Sequence, residues 1–592
     1  MPDAHYQLGL ACWKLGLIGE AAGAFRKTLA LDPASYEAHN ELANILQDAS
    51  RLDEAVAHYR ESIRLSPDQA KVYNSLGNAL IRAGQLNEAV GCFNKAIGLQ
   101  PDFADSHLNL GSACSLQGAR DQAVRSYETA LRLRPGSAAA AQCLLFEMQH
   151  VCDWSRLEEL WELQRRSARD PQGRQFSSFC MLSVPLTPAE QLQCMKNFSR
   201  HQLRAVLHDR ERPPFRFERK AKPRLRIGYL SADFHEHATA YLMAELFELH
   251  DRGRFEIAAY SYGPDDGSPM RARLKRTFDR FVDIARFSHT DAAARIHDDQ
   301  VDILVDLKGY TQFARTEIVA LRPAPLQVNY LGYPGTMGAE FIDYLVTDRF
   351  TTPREHAEHF SEKLAYMPGC YQVNDRKRIV AATPSRGELG LPQQSFVFCC
   401  LNQTFKILPQ FFVAWMRLLK AVPGSVLWLL ESNPWAAQNL RQQARGHGID
   451  PQRLIFAPMC PSGRHIARMG AADLFLDTAP CNAHTTASDA LWAGLPVLTC
   501  TGNTFASRVA GSVLTAAGMP ELVTYTLEAY EALALRLAGN PGELANLREK
   551  LARNRMSTPL FDTPSFVRHL EALYLRMWGN YLAGNAPRAI EL

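Results

Sequence analysis

Several things are scarce in this 592-residue sequence, and each scarcity closes a class of function. No segment approaches the roughly 18 consecutive apolar residues that a membrane-spanning helix needs. Charge of neither sign dominates: 65 Lys and Arg stand against 62 Asp and Glu, for a net charge of +3. That balance lacks the clustered basic surplus of a nucleic-acid binder. The thirteen cysteines show no metal-ligand spacing, and an odd number in a long chain argues for reduced thiols and a cytosolic setting. Cys399 and Cys400 are adjacent in an apolar run, where buried thiols are common. The opening MPDAHYQLGLACWKLG shows no basic stretch followed by a long apolar run, so no secretory leader is expected and the expected location is cytoplasmic. No Walker-type glycine loop occurs, and no GxGxxG fingerprint opens a strand. What remains is ordinary globular composition, 46% hydrophobic and 21% charged, in a chain too long for one core.

The first feature present is a repeat. Pro33, Pro67, Pro101 and Pro135 are each 34 residues apart, and the same step links Leu8, Leu42, Leu76 and Leu110. Small residues follow each leucine (Gly9, Ala43, Gly77, Gly111) and recur at Ala21, Ala55, Ala89 and Ala123. An aromatic comes four positions later: Phe25, Tyr59, Phe93 and Tyr127. This pattern predicts stacked helical hairpins of the tetratricopeptide type. Small residues let two helices approach, leucines and aromatics fill the seam, and Gly16, Ser50, Gly84 and Gly118 turn the chain. The proline ends each second helix because its ring cannot continue the hydrogen-bond ladder. A fifth, degenerate unit is expected over about 138–170, which places the repeat arm at 1–170. Such a stack has a groove suited to a peptide or protein partner, and the residues name no ligand for it.

From 171 to 222 the pattern is irregular, and the basic, proline-bearing RERPPFRFERKAKPR reads as a linker. The period then changes. LRIGYLS (225–231), FEIAAYSYG (255–263), VDILVDL (301–307) and LQVNYLG (326–332) form one set of apolar runs. FVFCCLN (396–402), SVLWLLES (425–432), RLIFAP (453–458), LFLDTAP (474–480) and PVLTC (496–500) form a second. Continuous apolar runs alternating with helical stretches predict parallel strands covered on both faces. Two sets predict two Rossmann-like domains, at 223–390 and 391–578, with 579–592 as a tail. Such sheets bind ligands at the carboxyl ends of their strands, and the cleft between two of them is the default site.

The loops that leave those ends carry the chemistry. His484, Thr485 and Thr486 precede an apolar helical run, where free N–H groups and the helix dipole favour an anion. Asp489, one turn inside, suits ribose hydroxyls. The plainer reading makes Thr486 a helix cap and Asp489 a partner for the dipole. Lys406 ends the loop Asn402-Gln403-Thr404-Phe405-Lys406. Most lone lysines are solvated charges, but at a strand's carboxyl end a lysine can neutralise a departing diphosphate. In the first domain, Asp233, His235, His237 and Thr239 share the loop SADFHEHATAYL. Their spacing is too compressed for a closed zinc site and fits proton transfer better. The plainer alternative is His235 as a cap of the next helix.

In combination, SADFHEHATAYL, DDGSPMRARL, GYTQFARTEIVALRPAPLQVNYLGYPGTMG, SEKLAYMPGCY, LNQTFKILP, SVLWLLESNP and CNAHTTASDALWAGLPVLTCTGNTFASRVAGS resemble the protein O-GlcNAc transferase family, SPINDLY-type enzymes included. The resemblance runs over almost the whole chain. It implies an α-helical repeat superhelix followed by an α/β glycosyltransferase-B fold. It also implies inverting transfer of N-acetylglucosamine from UDP-GlcNAc to protein Ser or Thr hydroxyls, with no required metal or other cofactor. On this resemblance Gln403 and Lys406 hold the diphosphate, and Lys406 assists its departure. His484, Thr485 and Thr486 match the phosphate and sugar loop, and Asp489 the ribose contact. His465 and Arg468 flank the nucleoside, and the backbone at Cys460, Pro461 and Ser462 reads the uracil edge. His237 matches the motif histidine near the sugar, with Asp233 and Thr239 beside it, and Gly332 and Pro334 match the loop facing the acceptor. Which of His237 and Asp233 serves the acceptor hydroxyl stays open.

The chain also departs from the family. Animal members have lysine where Ser462 stands, a paired histidine where SSFCML places Ser178 and Phe179, and proline where Ala238 stands. Their large insert between the catalytic domains is absent, and Asn109 is the clearest remnant of the asparagine ladder along their repeats. SPINDLY-type relatives use GDP-fucose, which leaves a fucosyl donor as the alternative. A repeat scaffold with a vestigial transferase is the third reading.

Overall fold

The computed structural model describes residues 1–49, 51–173, 178–204, 206 and 215–592. These divide into two compact units, Met1–Met148 and Gln149–Leu592.

The first unit consists of helical hairpins at the expected step: Pro2–Lys14 with Ile18–Leu31, Tyr36–Asp48 with Leu52–Leu65, Ala70–Arg82 with Leu86–Leu99, and Ala104–Leu116 with Arg120–Leu133. The small residues do what the pattern required. A Cβ on Gly77 would lie 2.5 Å from the Phe93 ring, and one on Gly111 2.6 Å from Tyr127, so the rings occupy the space a side chain would need. Phe25, Tyr59 and Phe93 are fully buried. Gly84 turns its hairpin at φ +76°, the left-handed region that glycine enters without strain; the matching Ser50 lies outside the described residues. Leu8 departs from the pattern: it is 52% exposed, whereas Leu42 and Leu76 are buried. Asn109 donates from Nδ2 to Asn74 Oδ1 at 2.9 Å, and Ser106 Oγ donates to the same oxygen at 3.1 Å. Asn74, which no pattern singled out, therefore ties its repeat to the next one.

The second unit begins earlier than the end of the expected fifth repeat. Its helix Leu157–Arg169 lies beside a helix at Pro188–Gln202, with Arg169 paired to Glu190 at 2.7 Å and Asn197 Nδ2 donating to the Asp170 carbonyl at 2.8 Å. The expected linker thus contains a regular helix. Thr187 and Glu190 cap it reciprocally, which satisfies two of its otherwise unpaired N–H groups. Residues 210–214 of the basic stretch lie outside the described residues.

Among the described residues fourteen strands follow: β1 (Leu225–Ser231), β2 (Phe255–Ser261), β3 (Arg280–Asp283), β4 (Ile303–Asp306), β5 (Leu326–Asn329), β6 (Tyr344–Asp348), β7 (Lys363–Met367), β8 (Val397–Cys400), β9 (Val426–Leu430), β10 (Leu454–Ala457), β11 (Leu474–Leu476), β12 (Val497–Cys500), β13 (Val523–Thr524) and β14 (Ile590–Glu591). They form two sheets, ordered β14-β7-β6-β5-β4-β1-β2-β3 and β10-β9-β8-β11-β12-β13. Every recorded pairing is parallel, with Ile227 opposite Ile257 and Ile303, and Phe398 opposite Leu427 and Leu474. Apolar runs buried on both faces have no solvent side to alternate with, which is why they read as continuous.

The expected tail is not a tail. Ile590 pairs with Ala365 of β7, and Arg349 and Arg354 clasp the Glu591 carboxylate. The preceding helix, Thr563–Leu582, also serves the first sheet: Glu571 meets His250 at 2.9 Å, and Tyr574 meets Tyr229 at 3.3 Å. The chain's last elements therefore return to the first domain, after a second domain that sequence alone carried to 578.

Candidate active site

In each sheet the parallel strands send their following loops to one edge. At the second sheet, β8 leads into a single 3-10 turn, Thr404–Lys406, which is held from behind. Thr404 Oγ1 and Asn433 Nδ2 both donate to the His150 carbonyl, at 2.7 and 2.9 Å, and Asn439 Nδ2 donates to the Val151 carbonyl at 2.8 Å. The Phe405 ring sits 5.1 Å from His150 and 5.8 Å from Phe179 between centroids. Residues expected to belong to a repeat and a linker therefore brace this turn. At its end, half-buried Lys406 donates from Nζ to the Asn482 carbonyl at 2.7 Å. Gln403 is exposed, and its Oε1 accepts from Ser432 Oγ at 3.3 Å.

Asp477, buried at the end of β11, shapes the neighbouring loop. It accepts from the N–H groups of Ala483 and Thr478, from Thr499 Oγ1 and from Asn402 Nδ2, while burial pushes its carboxyl up to about 6. The loop delivers the chain to the helix Thr485–Trp492 with His484 as N-cap. This corrects the plainer expectation that Thr486 is the cap: Thr485 and Thr486 are the first two helical residues. No side chain caps this end, so the helix terminus keeps donors for an anion. His484 faces the Ala506 carbonyl with Nε2 at 3.2 Å, which places its proton on that nitrogen. Burial first, and the Lys406 cation second, push it down to about 3, so the ring is neutral.

Asp489 is engaged by the structure itself. It forms an ion pair with Arg378, whose Nη2 also donates to Asn374 Oδ1 at 2.6 Å. Burial raises the Asp489 pKa, and Arg378 opposes that rise. The expected ribose contact is thus also half of a buried salt bridge.

After β10, Pro461 caps the helix Ser462–Met469. Arg468 is buried; it donates to the Pro458 carbonyl at 2.5 Å and to His465 Nδ1 at 2.7 Å. Burial and then Arg468 push His465 down to about 4, so its Nδ1 is free to accept. Cys460 and Ser462 are half-buried. A cavity of about 430 Å³ opens here, lined in part by Trp428, Pro458, Cys460, Arg464 and Arg468. The structure therefore brings Cys460 and Arg468 to one hollow, with Pro461, Ser462 and His465 in the same loop and helix.

At the first sheet's edge, Asp233 is buried and its carboxylate receives Lys308 Nζ at 3.0 Å on both oxygens. Lys308 follows β4, and sequence reasoning missed it. The available signal was the one used for Lys406, a lone lysine just past a buried strand. His237, not His235, caps the helix Ala238–Leu249: its Nδ1 accepts from the Thr239 N–H at 3.2 Å. His235 instead lies 3.8 Å from Asp266. Thr239 Oγ1 reaches Asp233 Oδ2 at 3.4 Å. Gly332 is required by packing, since a Cβ there would lie 2.0 Å from the Leu307 carbonyl oxygen, and Pro334 is buried beside it. Ser178 is buried and donates to the Tyr310 carbonyl at 2.9 Å. The two domains touch: Ser512 Oγ donates to Asp348 Oδ2 at the end of β6 at 2.6 Å, and Arg378, which follows the first sheet's last long strand, pairs with Asp489 of the second domain.

Two parallel sheets following helical repeats define a two-domain α/β protein, with an uncapped helix terminus and a lysine on a neutral oxygen at one sheet's loop edge. The chain belongs to glycosyl transferase family 41, whose family model matches residues 200–383 and 376–570. Tetratricopeptide repeat models match 4–70, 77–118 and 106–139. Among curated proteins, the chain is 36% identical over 464 residues to the probable UDP-N-acetylglucosamine–peptide N-acetylglucosaminyltransferase SEC of Arabidopsis thaliana, covering 75% of this chain and 47% of that protein. It is 32% identical over 482 residues to the UDP-N-acetylglucosamine–peptide N-acetylglucosaminyltransferase of Caenorhabditis elegans, covering 62% and 42%. The chain thus spans about half the length of the curated relatives it matches. Among solved structures, a mutant O-GlcNAc transferase of Thermobaculum terrenum superposes with a TM-score of 0.68 at 27% identity, covering 93% of this chain and 99% of that one.

Proposed function

We propose that the chain is an inverting, metal-independent glycosyltransferase that moves N-acetylglucosamine from UDP-GlcNAc to serine or threonine hydroxyls of proteins. The observation that carries the proposal is Lys406. Its ammonium rests on the Asn482 carbonyl, a neutral partner, so its charge is available to a diphosphate. That carbonyl lies two residues before His484, the N-cap of the helix that begins at Thr485. In this reading the acceptor oxygen attacks the anomeric carbon in line, a C–O bond forms, the bond to the diphosphate breaks with its electron pair leaving on the diphosphate, and the hydroxyl's proton passes to that diphosphate or to water. Negative charge grows on the departing oxygen, where Lys406, Gln403 and the N–H groups at Thr485 and Thr486 act together. The hollow beside Cys460 and Arg468 takes the uracil base, and Asp489 faces the ribose while Arg378 orients it. The repeat unit would hold the acceptor polypeptide. Both curated relatives are named as UDP-N-acetylglucosamine–peptide transferases, which supports this donor and acceptor class.

Calorimetric titration of the full chain with UDP-GlcNAc and GDP-fucose tests the donor. Saturable binding of the uridine donor, with turnover that survives EDTA, is the expected result. Binding of the guanine nucleotide alone would replace this donor, and a requirement for divalent metal would remove the metal-independent mechanism.

A further inference from the structure

The first sheet's edge holds a charge arrangement that the proposed transfer does not yet use. Lys308 and Asp233 are both buried, with side chains only 5% and 7% exposed. Their contact is bidentate, Nζ lying 3.0 Å from each carboxylate oxygen. His237 Nδ1 stands 3.4 Å from Asp233 Oδ2, close enough for the carboxylate to claim a proton there. The same Nδ1 accepts the Thr239 N–H at the start of its helix.

These two contacts compete, because a ring nitrogen either carries a proton or accepts one. If Nδ1 held a proton, it would donate to Asp233, and the Thr239 N–H would lose its acceptor. If Nδ1 is bare, the helix stays capped and the ring's proton sits on Nε2. An unpaired buried carboxylate at this distance would favour the first state strongly. A carboxylate already neutralised on both oxygens has much less to gain from it.

We propose that Lys308 is a positioning residue for His237: by holding both oxygens of Asp233, it keeps Nδ1 bare and leaves a neutral ring with Nε2–H as its free donor. This deepens the function proposed above. A ring whose Nε2 is already protonated cannot take the acceptor hydroxyl's proton on that nitrogen, so His237 is a hydrogen-bond donor to the substrates, and the proton passes to the departing diphosphate or to water. Other charges around the ring agree. His235, its ring 5.9 Å away between centroids, is turned to Asp266, and Glu236 is taken by the Tyr241 hydroxyl. Burial lowers the His237 pKa, Asp233 opposes that, and Lys308 and His235 reinforce it.

The test is nitrogen-15 NMR of the histidines in the full chain without substrate, with the His237 signal assigned by its loss in His237→Gln. The expected spectrum shows a neutral ring protonated at Nε2. Lys308→Met should move the proton to Nδ1 and raise the His237 pKa by about one unit or more. Lys308→Arg should restore the original state, as should the double variant Lys308→Met with Asp233→Asn. A Lys308→Met protein that melts like the parent and keeps the parent tautomer and pKa would overturn the proposal, and so would Nδ1 protonation in the parent. If Lys308→Met does not fold, Asp233→Asn decides: a lowered His237 pKa supports the coupling, and an unchanged one overturns it. Because no donor is present, these outcomes stand apart from whether the chain uses UDP-GlcNAc.

Discussion

Lys406 and Lys308 occupy matching places, each just past a buried strand at the carboxyl edge of its sheet, yet their partners make them opposite devices. Lys308 is closed on a carboxylate, and the pair carries no net charge. Lys406 is steadied by a main-chain carbonyl, so its position is fixed and its charge is unspent. A lysine drawn wholly or partly out of water needs a partner, since desolvating an ammonium without one is costly. What differs is whether the partner cancels the charge. A neutral partner makes an anion site, whereas an anionic partner makes a fixed structural element able to bias a neighbour such as His237.

The sharpest way to break this comparison is to remove the unspent charge. Lys406→Ala should lower turnover by about a hundredfold or more, in the range found when a preorganised donor to a developing anion is deleted, with the melting temperature nearly unchanged. Near-normal transfer would place Lys406 among ordinary structural cations. A smaller effect, on stability, is expected from Asp489→Ala. If Asp489 were only a ribose contact, donor affinity would fall and the fold would not notice. Because the buried Arg378 would lose its counter-charge and keep only the Asn374 amide oxygen as a partner, the variant should also lose about 3 kcal/mol, read as the shift in a denaturant midpoint. The smallest effect concerns pH. His484 and His465 are pushed down to about 3 and about 4, so between those values and the ordinary histidine value near 6.5 the unfolded chain binds more protons than the folded one. Their contribution to stability is complete above about 6.5 and is lost as pH falls through that window. The melting temperature should drop on acidification from pH 7 to 5, and His465→Gln should flatten the drop.

Legibility in the sequence varied with the range of the interaction that decided each feature. The hairpins were readable throughout because helix ends, small contact residues and buried rings recur within one repeat. Strands β1, β2, β4, β5 and β8–β12 were readable because they lie in continuous apolar runs buried on both faces. β6 and β7 are five residues each, longer than several that were read, so length did not hide them; charged residues at the ends of β3, β6 and β7, such as Arg280, Asp283, Asp348 and Lys363, interrupt the apolar run, β13 has only two residues, and β14 exists only because β7 lies beside it. Among site residues, Lys406 and the His484–Thr486 terminus could be placed by their position after a strand. Lys308 has the same local signal but was overlooked. Arg378 and the His150 carbonyl carried none, since each acts on a residue more than a hundred positions away.

The order of residues alone determined that this chain has stacked helical hairpins followed by two parallel sheets, with its chemistry in the loops at their carboxyl ends. Repetition and hydrophobic periodicity are written locally, residue by residue, and survive without knowledge of the fold. The tertiary structure alone decided which charges are cancelled and which are free. It sent Arg378 to Asp489, Lys308 to Asp233 and Lys406 to a carbonyl, and it returned the final helix and strand to the first sheet. A charge's effect depends on its desolvation and its nearest partner, and both are set by segments far apart in the chain.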